Sequence, residues 1–220
     1  MTVAALGAAM TITACGSGAR QDATEPSGNY HVQVTTARFP VSQHLAERTS
    51  LTLSIRNTGT KTIPDVVVTI CNTTCAYPAP VGQGTSVAAF AKYLTTPGIA
   101  NHSRPVWIIE RPPGSCQGST GYSCANGGAG AEVSAATNTW QGGKLKPGHT
   151  KTFTWTLRAV DWGRYTVAWV VDASLYGKGK AIGPDRSIPR GTFKVNIARP
   201  PAQAYVNDAG QVVQTQAPSP

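Results

Sequence analysis

An all-β chain folded as an antiparallel sandwich is the fold class this sequence predicts, and three observations predict it. The stretch from Lys146 to Asp172, KPGHTKTFTWTLRAVDWGRYTVAWVVD, holds two long runs with a period of two. In the first, Phe153, Trp155 and Leu157 alternate with Thr152, Thr154 and Thr156. In the second, Tyr165, Val167, Trp169 and Val171 share one side, with Thr166, Ala168 and Val170 on the other. Such alternation is what a strand shows when one face is buried. The second observation is the short corner between the runs, Asp161-Trp162-Gly163-Arg164-Tyr165. The third is that further alternating runs, bounded by turn residues, recur on both sides of this stretch.

Taken in order, residues 1–14, MTVAALGAAMTITA, are small and apolar. The run from Val3 to Ala14 fits the apolar region of a signal peptide and is too short for a membrane span. Ile12-Thr13-Ala14-Cys15 resembles a bacterial lipobox, which implies lipidation at Cys15, although no Lys or Arg precedes the apolar run. Residues 15–28 read as the lipid anchor and a flexible tether, with a root-mean-square reach of about 20 Å. The sandwich is expected over residues 29–198. Tyr30, Val32 and Val34 mark strand A, Leu51, Leu53 and Ile55 strand B, and Val66, Val68 and Ile70 strand C; Phe153 to Leu157 and Tyr165 to Val171 give strands E and F. Phe193, Val195 and Ile197 mark strand G. Residues 199–220 lack the apolar content for a core and are expected to be a disordered tail.

Residues 76–143 form a long insertion between strands C and E. Thr85 is placed to cap a short helix with Val87, Phe90, Ala91 and Leu94 on one side. Val106-Trp107-Ile108-Ile109 reads as an added strand between Pro105 and Pro112. A stretch this long calls for a function or a staple. Its aromatic residues admit two readings. One is a satellite core under the loop. The other is a binding face in which Trp107, Tyr122 and Trp140 stand beside Arg104 and Arg111.

The chain has 5 Cys. With Cys15 set aside, Cys71, Cys75, Cys116 and Cys124 remain, an even number that suits disulfides in an exported protein. Three connectivities are open; the local pairs Cys71–Cys75 and Cys116–Cys124 are favoured because each closes a short loop of turn residues. The spacings suit neither zinc nor a Cys-x-x-Cys redox pair.

Charged residues make up 13% of the chain, yet the net charge is +9. The excess lies late, where the connection between strands F and G carries Lys178, Lys180, Arg186 and Arg190. A basic face on an envelope protein suits lipid head groups or anionic wall polymers. Neither an HExxH run nor a Gly-x-Ser-x-Gly elbow occurs, and His31, His44, His102 and His149 form no i, i+4 pair. The expectation is therefore a non-enzymatic protein without cofactor, metal or nucleic acid.

Two resemblances sharpen the fold. Asp161-x-Gly163-x-Tyr165-x-Val167 resembles the tyrosine corner of immunoglobulin-like sandwiches. Antibody domains carry Cys at the position of Val167, so the likeness is to the architecture. Asn57-Thr58-Gly59 after strand B, Leu145-Lys146-Pro147-Gly148 before strand E and Gly163-Arg164-Tyr165-Thr166-Val167 together resemble the CARDB family of bacterial immunoglobulin-like surface domains. The resemblance covers about half the chain and carries no catalytic residues. With the lipobox, it implies an extracytoplasmic lipoprotein of the bacterial envelope. Such a protein is expected to bind an envelope polymer, glycan or protein, or else to pack as a structural lipoprotein on a membrane complex.

Overall fold

The computed structural model describes residues 25–75, 89–100, 102–114, 131–133, 138–199 and 204–214. All their regular structure is strand. In chain order the strands are β1 (Gly28–Arg38), β2 (Ser42–His44), β3 (Arg48–Asn57), β4 (Val67–Asn72), β5 (Ala91–Tyr93), β6 (Ser103–Pro105), β7 (Trp107–Arg111), β8 (Ala131–Val133), β9 (Thr139–Gln141), β10 (Thr150–Ala159), β11 (Gly163–Asp172), β12 (Gly179–Ile182), β13 (Arg190–Ala198), β14 (Ala204–Val206) and β15 (Val212–Gln214). The first sheet has the order β12-β1-β3-β10-β7, and the second β2-β13-β11-β4-β9-β8. Pairing is antiparallel except between β1 and β12 and between β13 and β2. The protein is an all-β, immunoglobulin-like sandwich, as the alternating runs predict.

Period-two patterning sets which side of each strand is buried. On β3, Leu51, Leu53 and Ile55 are buried, as are Phe153, Trp155 and Leu157 on the neighbouring β10, with Leu51 opposite Trp155 and Leu53 opposite Phe153. The second sheet contributes Val68, Ile70, Val167, Val171, Val195 and Ile197. On β11 the alternation fails after Thr166, because Val167 to Asp172 are buried on both sides. The corner preceding β11 is a tyrosine corner in its bonds. The Tyr165 hydroxyl donates to the Trp162 carbonyl (2.9 Å) and to Asp161 Oδ2 (2.8 Å). Gly163 sits at φ 141°, and a Cβ there would come within 3.1 Å of the Tyr165 hydroxyl, so the close approach needs glycine.

Three strands of the insertion join the sandwich, while β5 and β6 pair as a separate two-stranded sheet. β7 extends the first sheet along β10, while β9 and β8 extend the second along β4. The helix expected after Thr85 does not form over its described part, since Ala91–Tyr93 is a strand paired with Ser103–Pro105. Phe90 stands at φ 61°, outside the helical region, and this turn delivers its ring to the core. Thr85 and Val87 lie outside the described residues. The basic connection between β11 and β13 contains β12, whose buried Ala181 pairs with Tyr30. The tail expectation is also corrected. β14 and β15 pair as a hairpin, closed by Asn207, whose Oδ1 accepts the N–H groups of Ala209 and Gln211.

Trp155 is the centre of the core. It is 0% exposed, with Trp140 edge-on at 5.2 Å, Phe153 stacked at 6.1 Å and Phe90 at 6.4 Å. Its indole N–H has no hydrogen-bond partner among the described residues. Trp155→Ala is expected to lower unfolding stability by about 3–5 kcal/mol, read from urea melts. Trp155→Phe is expected to cost distinctly less, because it keeps a ring in place and removes the unpaired donor.

Candidate functional site

The sequence places two candidate surfaces on this fold, and the structure treats them differently. Trp107 and Trp140 are not a binding face: both are buried, at 3% and 1% exposed. The Trp107 indole N–H donates to Gln43 Oε1 at 2.7 Å, and its ring packs against Phe39 and Tyr165. These rings cover the ends of the core, which apolar burial favours over exposure on a surface loop. Tyr122 lies outside the described residues, as do Cys15, Cys116 and Cys124. Cys71 and Cys75 form a disulfide with a Cα separation of 5.3 Å. Arg104 is exposed on β6, where its guanidinium donates to the Ser103 carbonyl (2.9 Å). Arg111 ends β7 opposite Thr156, on the outer face of the first sheet.

The basic connection between β11 and β13 is built from the backbone outward. Asp172 closes β11, and its Oδ1 accepts the N–H groups of Ala173 (2.8 Å) and Ala181 (3.3 Å). The Ser174 hydroxyl lies between the Gly179 N–H and carbonyl. Glu25, just before β1, accepts the Tyr176 and Lys178 N–H groups. These bonds hold residues 173–179 against the chain's first described segment and feed β12 into the first sheet. Lys180 therefore stands opposite Asn29, on that sheet's outer side.

A tight turn follows. Asp185 accepts the Ser187 N–H (3.1 Å) and hydroxyl (2.8 Å), and Gly183 N–H donates to the Ser187 carbonyl (2.7 Å). The hydrogen bonds from Ser187 hold the Asp185 carboxyl below the usual carboxylate range. Arg186 sits at the turn's tip at φ 63°, and Arg190 opens β13. Lys180, Arg186 and Arg190 make no ion pair among the described residues. Together with β1 the turn frames an open cleft of about 690 Å³, lined by Val32, Val34, Trp169, Asp185, Ile188 and Arg190. Trp169 lies flat against β13 because residue 191 is glycine, where a Cβ would fall 2.6 Å from the indole. Trp169, Asp185 and Glu25 went unmarked as site residues in the sequence.

The corner carries a smaller charged group. Burial, followed by the hydrogen bond to Asp161, holds the Tyr165 phenol well above the ordinary tyrosine range, so it remains a donor. Lys92 pairs with Asp161, and the Arg199 guanidinium lies 4.2 Å from the centre of the Trp162 ring.

Asp65 gives the fold a pH dependence. Its Oδ1 accepts the Gly143 N–H (2.8 Å) in the bridge that leads into β4. Burial pushes its carboxyl from 3.8 up to about 6, helped by the Glu25 charge and opposed by the Gly143 bond and Lys151. A raised carboxyl binds its proton more tightly folded than unfolded. Its contribution therefore favours folding at pH 4 and fades as pH rises through 6. Asp65→Asn is expected to remove this slope, so that the melting temperatures of the two proteins converge at pH 4 and separate at pH 7, the variant melting higher. Thermal melts across that range check it.

No family model and no curated protein matches this sequence. Among solved structures, the chain is similar to the CARDB domain of the PF1109 protein from Pyrococcus furiosus, solved in complex with di-metal ions. The identity is 10% and the TM-score 0.38, over 76% of this chain and 86% of that one. It is similar to native alpha-2-macroglobulin from Escherichia coli, from domain MG7 to the C-terminus, at 12% identity and a TM-score of 0.38, over 82% of this chain and 20% of that one. It is also similar to the PapD-like domain 7 of human CEP192, at 14% identity and a TM-score of 0.36, over 90% and 96% of the two chains. At these scores the likeness carries no argument about function.

Proposed function

We propose that this chain is a non-enzymatic, lipid-anchored binding module of the bacterial envelope, and that the basic end between β11 and β13 engages anionic envelope material. The observation that carries the reading is the placement of Arg186 and Arg190, without ion-pair partners among the described residues, on the turn that frames the Trp169 cleft. Cations not neutralised by their own chain contribute roughly 1 kcal/mol each near an anionic surface, and salt screens them. The lipobox at Cys15 and the tether of residues 15–28 support attachment at the membrane, where such surfaces are found. A glycan or envelope protein is an alternative ligand for the same end.

A second reading, a structural lipoprotein packed on a membrane complex, draws on one observation. Among the described residues no strand pairs with β1 beyond His31 on its β12 side, nor with β13 before Asn196 on its β2 side. Open edges of this kind accept a further strand. Recovery of a stoichiometric membrane-protein partner with the anchored chain, and no polymer binding, would favour it.

Two measurements test the main proposal. Co-sedimentation with anionic vesicles and with cell-wall preparations is expected at low salt and lost at high salt. The Arg186→Ser/Arg190→Ser variant should bind several-fold less at low salt. Binding that persists at high salt would point to stacking or hydrogen bonding. Separately, Cys15→Ser is expected to move the protein from the membrane fraction to the soluble fraction, because two acyl chains give stable anchoring where one is marginal. Unchanged fractionation would count against lipidation.

A further inference from the structure

The outer face of the first sheet has a composition that solvent exposure alone does not require. Its middle strands present hydroxyls in register. Thr36 stands opposite Ser54, and Ser54 opposite Thr152; Thr52 stands opposite Thr154, and Ser50 opposite Thr156. Residues on one side recur about every 6.8 Å along a strand, with neighbouring strands about 4.8 Å apart, so these side chains make a two-dimensional grid. The Ser54 and Thr152 hydroxyls are 2.9 Å apart, which ties adjacent strands within it. Thr36, Ser50, Thr152 and Thr154 are exposed.

The grid is rimmed by one sign of charge. Arg38 stands opposite Thr52, Arg56 opposite Thr150, Arg48 opposite Arg158, Arg111 opposite Thr156 and Lys180 opposite Asn29. The one acidic residue in these five strands is Glu110. Its carboxylate lies between two guanidiniums, accepting Arg48 Nε (2.5 Å) and Arg158 Nε. A surface that serves only solubility intersperses both signs. Here two basic residues that the sequence assigned to separate patches, Arg111 and Lys180, stand at opposite edges of one sheet.

We infer that this face docks an anionic polysaccharide bearing carboxylates, laid across the hydroxyl grid with its acid groups on the arginine rim. Hydroxyls both donate and accept, which suits the hydroxyls of a sugar chain. Arginine forks match carboxylates, and the chain already places one carboxylate, Glu110, between Arg48 and Arg158. The occupant is a polymer because the complementary groups run the length of the sheet. The inference does not rest on the basic cleft around Trp169.

The test uses the full chain with polygalacturonate as the probe, and dextran and polyphosphate as neutral and hydroxyl-poor controls. Polygalacturonate should bind, polyphosphate more weakly, and dextran least. Thr52→Val/Thr154→Val keeps two good strand residues in place and removes a central hydroxyl pair. It should weaken polygalacturonate binding by roughly tenfold. On the unmodified protein, amide shifts on titration should concentrate on β3 and β10, a readout independent of whether any variant folds. Absence of binding, equal binding of polyphosphate, or shifts confined to the turn at Asp185 would overturn the inference.

Discussion

The buried side-chain amide of Asn57 is the interaction on which the register of this sandwich depends. It is 0% exposed, and its polar groups are all engaged. Nδ2 donates to the Lys61 and Leu145 carbonyls, and Oδ1 accepts the Gly59 N–H. Its backbone N–H donates to His149, and its carbonyl accepts from Gly148. A buried amide is tolerated only when its hydrogen bonds are met, so these five bonds specify one geometry. That geometry joins the end of β3 to the turn before β10, while Ile63 and Leu145 pair beside it on the way to β4. A slip of one residue between β3 and β10 would exchange the buried and exposed sides of the strand that shifted. Either Leu51, Leu53 and Ile55 or Phe153, Trp155 and Leu157 would then meet water, and that strand's hydroxyls would enter the core. One knot therefore defines both the apolar interior and the polar outer grid.

The insertion completes what that register begins. Trp155 points inward from the centre of the first sheet and is too large to be covered by the aliphatic residues of β4 and β11 alone. Phe90 and Trp140 arrive from the insertion and close around it, with ring contacts between 5.2 and 6.4 Å, and Trp107 packs on Phe90. Large aromatic surfaces gain more from a shared dry interior than from exposure on a loop. This is why the surface reading of Trp107 and Trp140 fails, while Arg111, on the same short strand as Trp107, remains outside.

The basic end is organised by carboxylates that bind its backbone. Glu25 and Asp172 spend their oxygens on backbone N–H groups, and Asp185 spends its own on Ser187. The acids thereby order the connection, and the positive charge of Lys180, Arg186 and Arg190 is left to the surface. Pairing of β12 with β1 then divides these cations, sending Lys180 to the outer grid and leaving Arg186 and Arg190 beside the cleft.

Local pattern alone determined the strand character of β1, β3, β4, β10, β11 and β13, the tyrosine corner and the strand at Trp107. Each depends on neighbours in sequence: a period of two, a Gly-x-Tyr, a pair of flanking prolines. It also determined the charge excess and its late position. Tertiary structure decided the rest. Short strands such as β2 and β12 have no readable period, and their pairing is supplied by partners far away in the chain. Whether an aromatic side chain is core or surface depends on what stands opposite it, so Trp107 and Trp140 could not be sorted by sequence. The same holds for the hydroxyl grid. Alternating threonines on β10 are visible in the sequence, but alignment with Ser50, Thr52 and Ser54 about a hundred residues earlier exists only once Asn57 has set the register of two strands distant in sequence.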